Sequence, residues 1–381
     1  MKNLTIFYWC PFISHVATVK AVINSAYSLI KYSNSKYEPK LINVFGEWDA
    51  AKNETKKKKI IITKKLINFS YLNINLNGFL ISRIKYIFIF IFSFFPLINL
   101  LKNKKPDYLI IHLVTSLPLI IFSLINFETK LILRISGFPQ LNFHRKLLWR
   151  LAAKNIYKIT CPTKETYMRL KTIKEFKNKI CILRDPIILP SEIIKKTNKE
   201  ISATLPMNNF ILSIGRLTRQ KNFNFLLENY AKINIKNLDL VIIGNGELKK
   251  NLKKKIKQKN IKKKVFLIDK TTNVFNILKK CQYFILTSLW EDPGFVLIEA
   301  AFMNKTILSS DCASGPREIL SNGKGGFLFK SNNNKDFISK FKLMVNTDKN
   351  MLKNKQMIAK YKSKEFSVFK HYKNLNQLLR T

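Results

Sequence analysis

Short apolar runs alternate along the whole chain with segments in which apolar residues recur every three or four positions. The short runs predict strands and the periodic segments predict helices. In the amino-terminal half the predicted strands cover residues 3–9, 40–45, 108–111, 130–135, 158–162 and 180–183. In the carboxyl-terminal half the predicted strands begin at Phe210, Leu240, Val265, Phe284 and Thr306. Regular alternation of strand and helix predicts parallel sheets joined by right-handed crossovers, which is an α/β fold.

The chain length fits two such domains. It has 381 residues, of which 46% are hydrophobic, and this is enough for two cores of ordinary size. Residues 1–186 are predicted to form the first domain. Residues 187–206 contain two prolines and a charged middle, which predicts a linker. Residues 207–348 form the second predicted domain, and residues 349–381 have a helical pattern.

The most apolar stretch covers residues 81–101 and has basic residues on both sides. One interpretation is a helix buried against the first sheet. A second is an interfacial helix that lies on a membrane, with basic flanks that contact anionic lipid head groups. We favour a combination of the two, in which the helix packs on the sheet and keeps a partly exposed apolar face. A transmembrane span is the third, although the run is short for the roughly 20 apolar residues a span needs and contains Pro96.

The net charge of +45, from 68 Lys and Arg against 23 Asp and Glu, favours anionic partners. Nucleotide sugars, polyprenyl diphosphates, anionic lipids and nucleic acids all qualify. Five dispersed cysteines without a Cys-x-x-Cys pair predict reduced thiols in the cytosol rather than disulfides or zinc. The amino terminus shows no cleavage signature, so we expect no signal peptide.

Several polar residues follow predicted strands of the first domain, where open α/β sheets bind ligands. Ser14 and His15 stand in the first strand–helix turn, and His112 ends the strand at 108–111. Arg134 and Ser136 end the next strand beside a glycine. Each has a structural alternative: a loop histidine, a core histidine and a turn with an exposed arginine.

The segment from Trp290 to Glu299 places two carboxylates around a predicted helix start. Glu291 follows an apolar strand, a Pro-Gly turn comes next, and Glu299 stands about two turns into the following helix. The free N–H groups of a helix start can bind a phosphate or a sugar hydroxyl. The alternative is a surface turn with two solvated acids.

Three neighbouring segments extend this pattern. Phe210–Phe223 is a strand with a glycine turn that carries Arg216 and Lys221, Leu238–Glu247 ends in a Gly-x-Gly turn, and Ser314–Leu320 reads Ser-Gly-Pro-Arg-Glu-Ile-Leu. In this order the segments resemble the carboxyl-terminal domain of retaining glycosyltransferases of the GT-B fold, family 4, also called glycosyl transferases group 1. The resemblance is close from Phe210 to Phe329.

The resemblance implies two Rossmann-like domains facing each other across a cleft, with residues 349–381 crossing back to the acceptor-binding first domain. It implies that Glu299 binds the donor ribose, that Glu291 contacts the donor sugar and that His112 faces the transferred sugar. The backbone N–H groups of Gly294, Phe295 and Val296 would complete the donor site. Further contacts are expected from Ser14, His15, Arg134, Ser136 and Ser314.

Arg216 and Lys221 can clamp the donor diphosphate with charge-assisted hydrogen bonds. The sequence has no Asp-x-Asp, so we expect catalysis without a metal ion or other cofactor. The expected reaction moves a hexose or N-acetylhexosamine from a UDP-sugar to a lipid-linked oligosaccharide or polysaccharide precursor of the cell envelope. It would take place on the cytoplasmic face of the membrane.

Two alternatives stay open. One is a mannosyltransferase that uses GDP-mannose. The other is a basic protein that binds nucleic acid or anionic membrane without catalysis. No nucleic-acid-reading signature accompanies the basic runs, so we expect no nucleic acid partner.

Overall fold

The computed structural model describes residues 3–13, 17–67, 79–135, 137, 142–200, 205–233, 235–269, 271 and 273–380, with the backbone alone at 79–82. The chain divides into two compact units. Unit 1 contains Met1–Pro186 and Val368–Thr381, and unit 2 contains Ile187–Ser367. Of the carboxyl-terminal segment, residues 349–367 therefore group with unit 2, and the remainder groups with unit 1.

Unit 1 is built on a seven-stranded parallel sheet in the order β3-β2-β1-β4-β5-β6-β7. Its strands are β1 (Leu4–Trp9), β2 (Tyr37–Leu41), β3 (Ile61–Ile62), β4 (Tyr108–Ile111), β5 (Lys130–Arg134), β6 (Ile156–Cys161) and β7 (Ile180–Ile182). Its helices up to residue 186 are α1 (Ala17–Tyr32), α2 (Lys52–Lys57), α3 (Phe79–Lys104), α4 (Ser116–Leu124), α5 (Phe143–Ala152) and α6 (Lys164–Lys171). The prediction for the second strand was wrong in position, because Glu38 and Lys40 alternate with the buried residues and hide the apolar signal.

The two faces of this sheet are covered by different helices. Phe7 and Trp9 of β1 face the core cluster that includes residues of α3, α4 and α5. Ile6 and Tyr8 point to the opposite cluster, which includes α1. This alternation follows from the two-residue period of a strand. Both faces are buried, as parallel sheets require.

The apolar stretch at 81–101 lies within one 26-residue helix, α3. Ile89, Leu97 and Leu101 on one side of α3 belong to the core of unit 1. In the described residues α3 is the one helix that is long and apolar enough to cross a membrane, and core helices of soluble proteins can pass the same length and composition test.

Unit 2 contains a six-stranded parallel sheet in the order β10-β9-β8-β11-β12-β13. The strands are β8 (Asn209–Ile214), β9 (Leu238–Ile243), β10 (Val265–Ile268), β11 (Tyr283–Leu286), β12 (Thr306–Asp311) and β13 (Phe327–Lys330). The helices are α7 (Pro190–Asn198), α8 (Phe223–Ile233), α9 (Lys249–Gln258), α10 (Val274–Lys280), α11 (Phe295–Phe302), α12 (Pro316–Ile319), α13 (Asn334–Asn346) and α14 (Lys349–Ser363). The sequence predicted the first five strands and missed β13, a four-residue strand at the edge of the sheet.

The segment predicted as a linker, residues 187–206, contains the ordered helix α7. It packs against α10. The side-chain amide of Asn273 donates to the carbonyl of Lys196 at 2.8 Å, and that of Asn276 donates to the carbonyl of Thr197 at 3.1 Å. These amides donate to carbonyls in the last turn of α7, where the carbonyl of Lys196 also accepts from the N–H of Lys199 at 3.3 Å. The segment is therefore part of unit 2.

The last helix, α15 (Val368–Leu378), packs against α1 in unit 1. His371 of α15 is buried, and its Nδ1 lies 2.6 Å from the carbonyl oxygen of Arg184. A carbonyl can only accept, so Nδ1 carries the proton and Nε2 accepts from Ser25 Oγ at 2.9 Å. Burial lowers the pKa of His371 to about 3, so the ring is neutral at physiological pH.

Candidate functional site

The turns that follow β8 and β9 are interlocked in unit 2. The N–H of Gly215 donates to the backbone carbonyl of Ile243 at 3.0 Å, and the N–H of Leu217 donates to the backbone carbonyl of Asn245 at 2.9 Å. A Cβ on Gly244 would lie 1.9 Å from the carbonyl oxygen of Gly215, so this close approach requires glycine. The interlock fixes the start of the turn that carries Arg216 and Lys221.

Lys221 and Glu291 form an ion pair at the carboxyl edge of this sheet. Glu291 follows β11, and its Oε1 also accepts from Ser288 Oγ at 2.6 Å. The side chains are 13% and 5% exposed. The ammonium and the carboxylate are therefore neutralised and desolvated together, and an incoming phosphate would compete with Glu291 for Lys221.

Arg216 lies beside this pair with its side chain exposed. Its Nη2 donates to Gln220 Oε1 at 3.1 Å, and Gln220 Nε2 donates to the carbonyl of Trp290 at 2.9 Å. Gln220 thus connects the β8–α8 turn to the loop before α11. The arginine is held near that loop and remains open to an anion from solvent.

The loop before α11 is fixed by the turn after β12. Ser314 is fully buried, and its Oγ donates to Asp292 Oδ1 at 3.0 Å. A Cβ on Gly315 would lie 2.0 Å from the carbonyl oxygen of Pro293, and Gly315 has a φ of +118°. Ser314 and Gly315 therefore hold the loop before α11 in place through Asp292 and Pro293.

The start of α11 presents the backbone groups that the sequence predicted. Gly294 is the residue before the first turn, with a φ of +95°, and Phe295 begins the helix. The N–H groups of Gly294, Phe295 and Val296 precede the first intrahelical hydrogen bonds. Buried Glu299 is the fifth residue of α11. It stands little more than one turn in, not two, because the helix begins only after the Pro-Gly turn.

His112 of unit 1 follows β4, as the sequence predicted, and its N–H donates to the carbonyl of Trp9 at 2.9 Å. The residue is buried and lines a small internal cavity with Arg134, Thr160 and Asp185. Burial, reinforced by the nearby guanidinium of Arg134, lowers the pKa of His112 well below 6.5. The imidazole is therefore neutral and can donate or accept a hydrogen bond without carrying charge.

Arg134 was expected to contact a ligand, but the structure uses it inside unit 1. It is 2% exposed, donates to the carbonyl of Leu183 at 2.5 Å and forms an ion pair of 2.5 Å with Asp185. Burial raises the pKa of Asp185, and the Arg134 charge opposes that rise. No local signal identified Asp185 as the partner, because the two residues lie far apart in the chain. Ser14, His15 and Ser136 lie outside the described residues.

All five cysteines are free thiols. Among the residues that the structure describes, no cluster of three or more His, Cys, Asp or Glu side chains is arranged to hold a metal ion.

A family profile described as "Glycosyl transferases group 1" matches residues 194–365. An uncharacterized glycosyltransferase of Methanocaldococcus jannaschii is 31% identical over 326 residues, which cover 80% of this chain and 76% of that protein. N-acetylgalactosamine-N,N'-diacetylbacillosaminyl-diphospho-undecaprenol 4-alpha-N-acetylgalactosaminyltransferase of Campylobacter jejuni is 34% identical over 165 residues, or 43% and 44% of the two chains. The crystal structure of a Staphylococcus aureus TarM variant with fondaparinux, alpha-GlcNAc-glycerol and UDP has a TM-score of 0.74 at 13% identity and covers both chains completely.

Proposed function

The chain belongs to the group 1 glycosyl transferases, with the α/β units of the GT-B fold, and we propose that it is a retaining enzyme that uses a UDP-sugar. The transferred sugar would be a hexose or an N-acetylhexosamine. The acceptor would be a lipid-linked oligosaccharide or polysaccharide precursor of the cell envelope. The observation that carries the donor half is the convergence of Arg216, the Lys221–Glu291 pair and the α11 start at one edge of the unit 2 sheet.

Each donor-site group has a chemical task in this proposal. As the bond from the sugar C1 to the β-phosphate oxygen breaks, negative charge grows on the diphosphate. Arg216, Lys221 and the first N–H groups of α11 stabilise this charge. Lys221 turns from Glu291 towards phosphate, which leaves the Glu291 carboxylate able to accept from a sugar hydroxyl. Glu299 accepts from the ribose hydroxyls.

Retention requires the acceptor oxygen to bond C1 on the face that the diphosphate leaves. In this scheme the acceptor proton passes to the departing phosphate oxygen, so no enzyme nucleophile is needed. The Campylobacter relative is named for an alpha transfer. Common UDP-hexoses are themselves alpha-linked, so an alpha product favours retention. Neutral His112 would position the sugar.

The acceptor class is supported by the Campylobacter relative, whose printed name gives a diphospho-undecaprenol-linked acceptor. The net charge of +45 also suits an acceptor that carries a diphosphate. No divalent ion is needed in this proposal, because two basic side chains and a helix start supply the positive charge.

The test is release of nucleoside diphosphate by the purified protein with a polyprenyl-diphosphate-linked N-acetylhexosamine, in EDTA. UDP-GlcNAc, UDP-GalNAc, UDP-glucose, UDP-galactose and GDP-mannose are supplied in turn. We expect an alpha-linked product with one UDP-sugar. A product with GDP-mannose alone would refute the donor assignment, and activity that needs added Mn²⁺ would refute the metal-free clamp.

Two variants test the clamp. Arg216→Ala and Lys221→Ala should each lower turnover on the order of 10²-fold or more. Arg219→Ala, which removes an exposed arginine from the same turn, is the matched control and should stay near the wild-type rate. Near-normal turnover in both clamp variants would contradict the assignment.

A further inference from the structure

The outer side of α3 exposes a continuous row of large apolar side chains. Its members recur at spacings of three and four residues and therefore share one helix face. They are Ile84, Ile87, Phe88, Ile91, Phe92 and Phe95. Ile91 is 59% exposed and Phe95 is 72% exposed, although a monomeric protein rarely leaves a contiguous apolar patch in water.

A second exposed row lies on α5. Phe143, Leu147 and Leu151 follow one another at four-residue spacing, and Phe143 is 75% exposed. On the opposite side of α5, Trp149 and Ala152 are buried in the core. α5 therefore has apolar residues on both its inner and its outer side, as α3 does.

The two rows lie on the same side of the unit 1 sheet. Residues of α3, α4 and α5 belong to one core cluster, and α4 packs against both of its neighbours. α4 itself exposes Leu124. These outward residues of α3, α4 and α5 are called the α3–α5 surface below.

The charge around the α3–α5 surface is strongly positive. Residues 79–152 contain ten Lys and Arg against two acids, Asp107 and Glu128. Of the ten cations, Arg134 is buried in its pair with Asp185 and Arg150 is paired with Glu175, so eight remain to charge the border of the surface. Asp107 is engaged by the N–H and hydroxyl of Thr5 at 2.7 and 3.0 Å. Exposed cations stand at the end of α3, at Lys102 and Lys104, and on α5, at Lys146. An apolar face with a basic border matches the interface of an anionic bilayer.

We propose that the α3–α5 surface inserts into the interfacial layer of an anionic membrane, with α3 and α5 lying in the membrane plane. A spanning orientation of α3 would pull Ile89, Leu97 and Leu101 out of the core of unit 1. A second copy of the chain is a poorer occupant, because each copy carries a net charge of +45. The proposal deepens the proposed function, on which it rests for its biological setting: a polyprenyl-linked acceptor is presented at such a surface.

The experiment is co-sedimentation of the full-length protein with vesicles of phosphatidylglycerol and phosphatidylethanolamine. The variants are Ile91→Gln with Phe95→Gln on α3, and Phe143→Gln with Leu147→Gln on α5. Leu343→Gln with Tyr361→Gln, which replaces exposed apolar residues of unit 2, is the matched control. Each surface variant should reduce the vesicle partition coefficient by about tenfold or more. The control should bind like the wild type.

Unchanged binding in both surface variants would overturn the proposal, as would an equal loss in the control. The proposal would also fail if light scattering showed that the wild type is a dimer that binds no vesicles, and that the α3 variant is a monomer. UDP release from the UDP-sugar in vesicle-free solution tests the proposed function separately. Surface variants that keep this release and their melting temperature but lose vesicle binding support the membrane surface alone.

Discussion

Replacing Lys221 by methionine removes the cation that faces Glu291 and leaves a carboxylate that is 5% exposed. Oε1 of Glu291 would then keep its hydrogen bond from Ser288 Oγ but lose its counter-charge. Breaking a buried pair by removing one partner costs about 3–5 kcal/mol. Because the Lys221 side chain is 13% exposed, water can reach the site, and we expect the lower end, about 3 kcal/mol.

The double variant Lys221→Met with Glu291→Gln removes both charges together. Glutamine keeps an acceptor for Ser288, so the double variant should regain about 2 kcal/mol relative to Lys221→Met. Its glycosyl transfer should nevertheless remain about 10²-fold or more below the wild type, because the cation needed by the leaving diphosphate is still absent. Stability and activity are therefore expected to separate.

Urea unfolding followed by circular dichroism measures the stability, and UDP release measures the activity. The pair Lys255–Glu228, which joins α9 to α8 at 2.5 Å with side chains 22% and 42% exposed, is the more exposed control. Lys255→Met should change the free energy of unfolding by less than about 1 kcal/mol. A double variant no more stable than Lys221→Met would refute the coupling, and a double variant with wild-type turnover would refute the catalytic role of the pair.

The remaining predictions concern a buried histidine and a glycine. His371 takes up a proton near pH 6.5 in the unfolded chain but only near pH 3 in the folded protein. Lowering the pH from 7 to 5 should therefore reduce the free energy of unfolding of the wild type by about 2 kcal/mol more than that of His371→Gln. Urea unfolding at both pH values measures the difference. His112 and Asp185 titrate in both proteins, and an identical pH dependence would contradict the assignment. Gly315→Ala should lower the free energy of unfolding by at least about 2 kcal/mol, because its Cβ would meet a backbone carbonyl at 2.0 Å and its φ is +118°. Gly137→Ala, whose Cβ meets no atom within 4 Å, is the control, and an equal effect in both would refute the steric argument.

The alternation of apolar runs and helical periods determined the fold class of both units before any contact was known. The predicted strands of each unit lie in one parallel sheet, in a strand order that the pattern alone did not give. Because parallel strands end at the same edge of a sheet, the strand positions also brought Lys221 and Glu291 to one edge. These features depend on residues close together in the chain, where the spacing of apolar residues shows which side chains are buried.

The tertiary structure alone decided how buried charges are used. Arg134 pairs with Asp185, 51 residues away, and His371 meets Ser25, 346 residues away. It alone also decided that α7 belongs to unit 2 and that α3 has one buried and one exposed apolar face. The physical reason is that a side chain's partner depends on which distant segment packs against it. Local sequence records the periodicity of burial but not the identity of the neighbour.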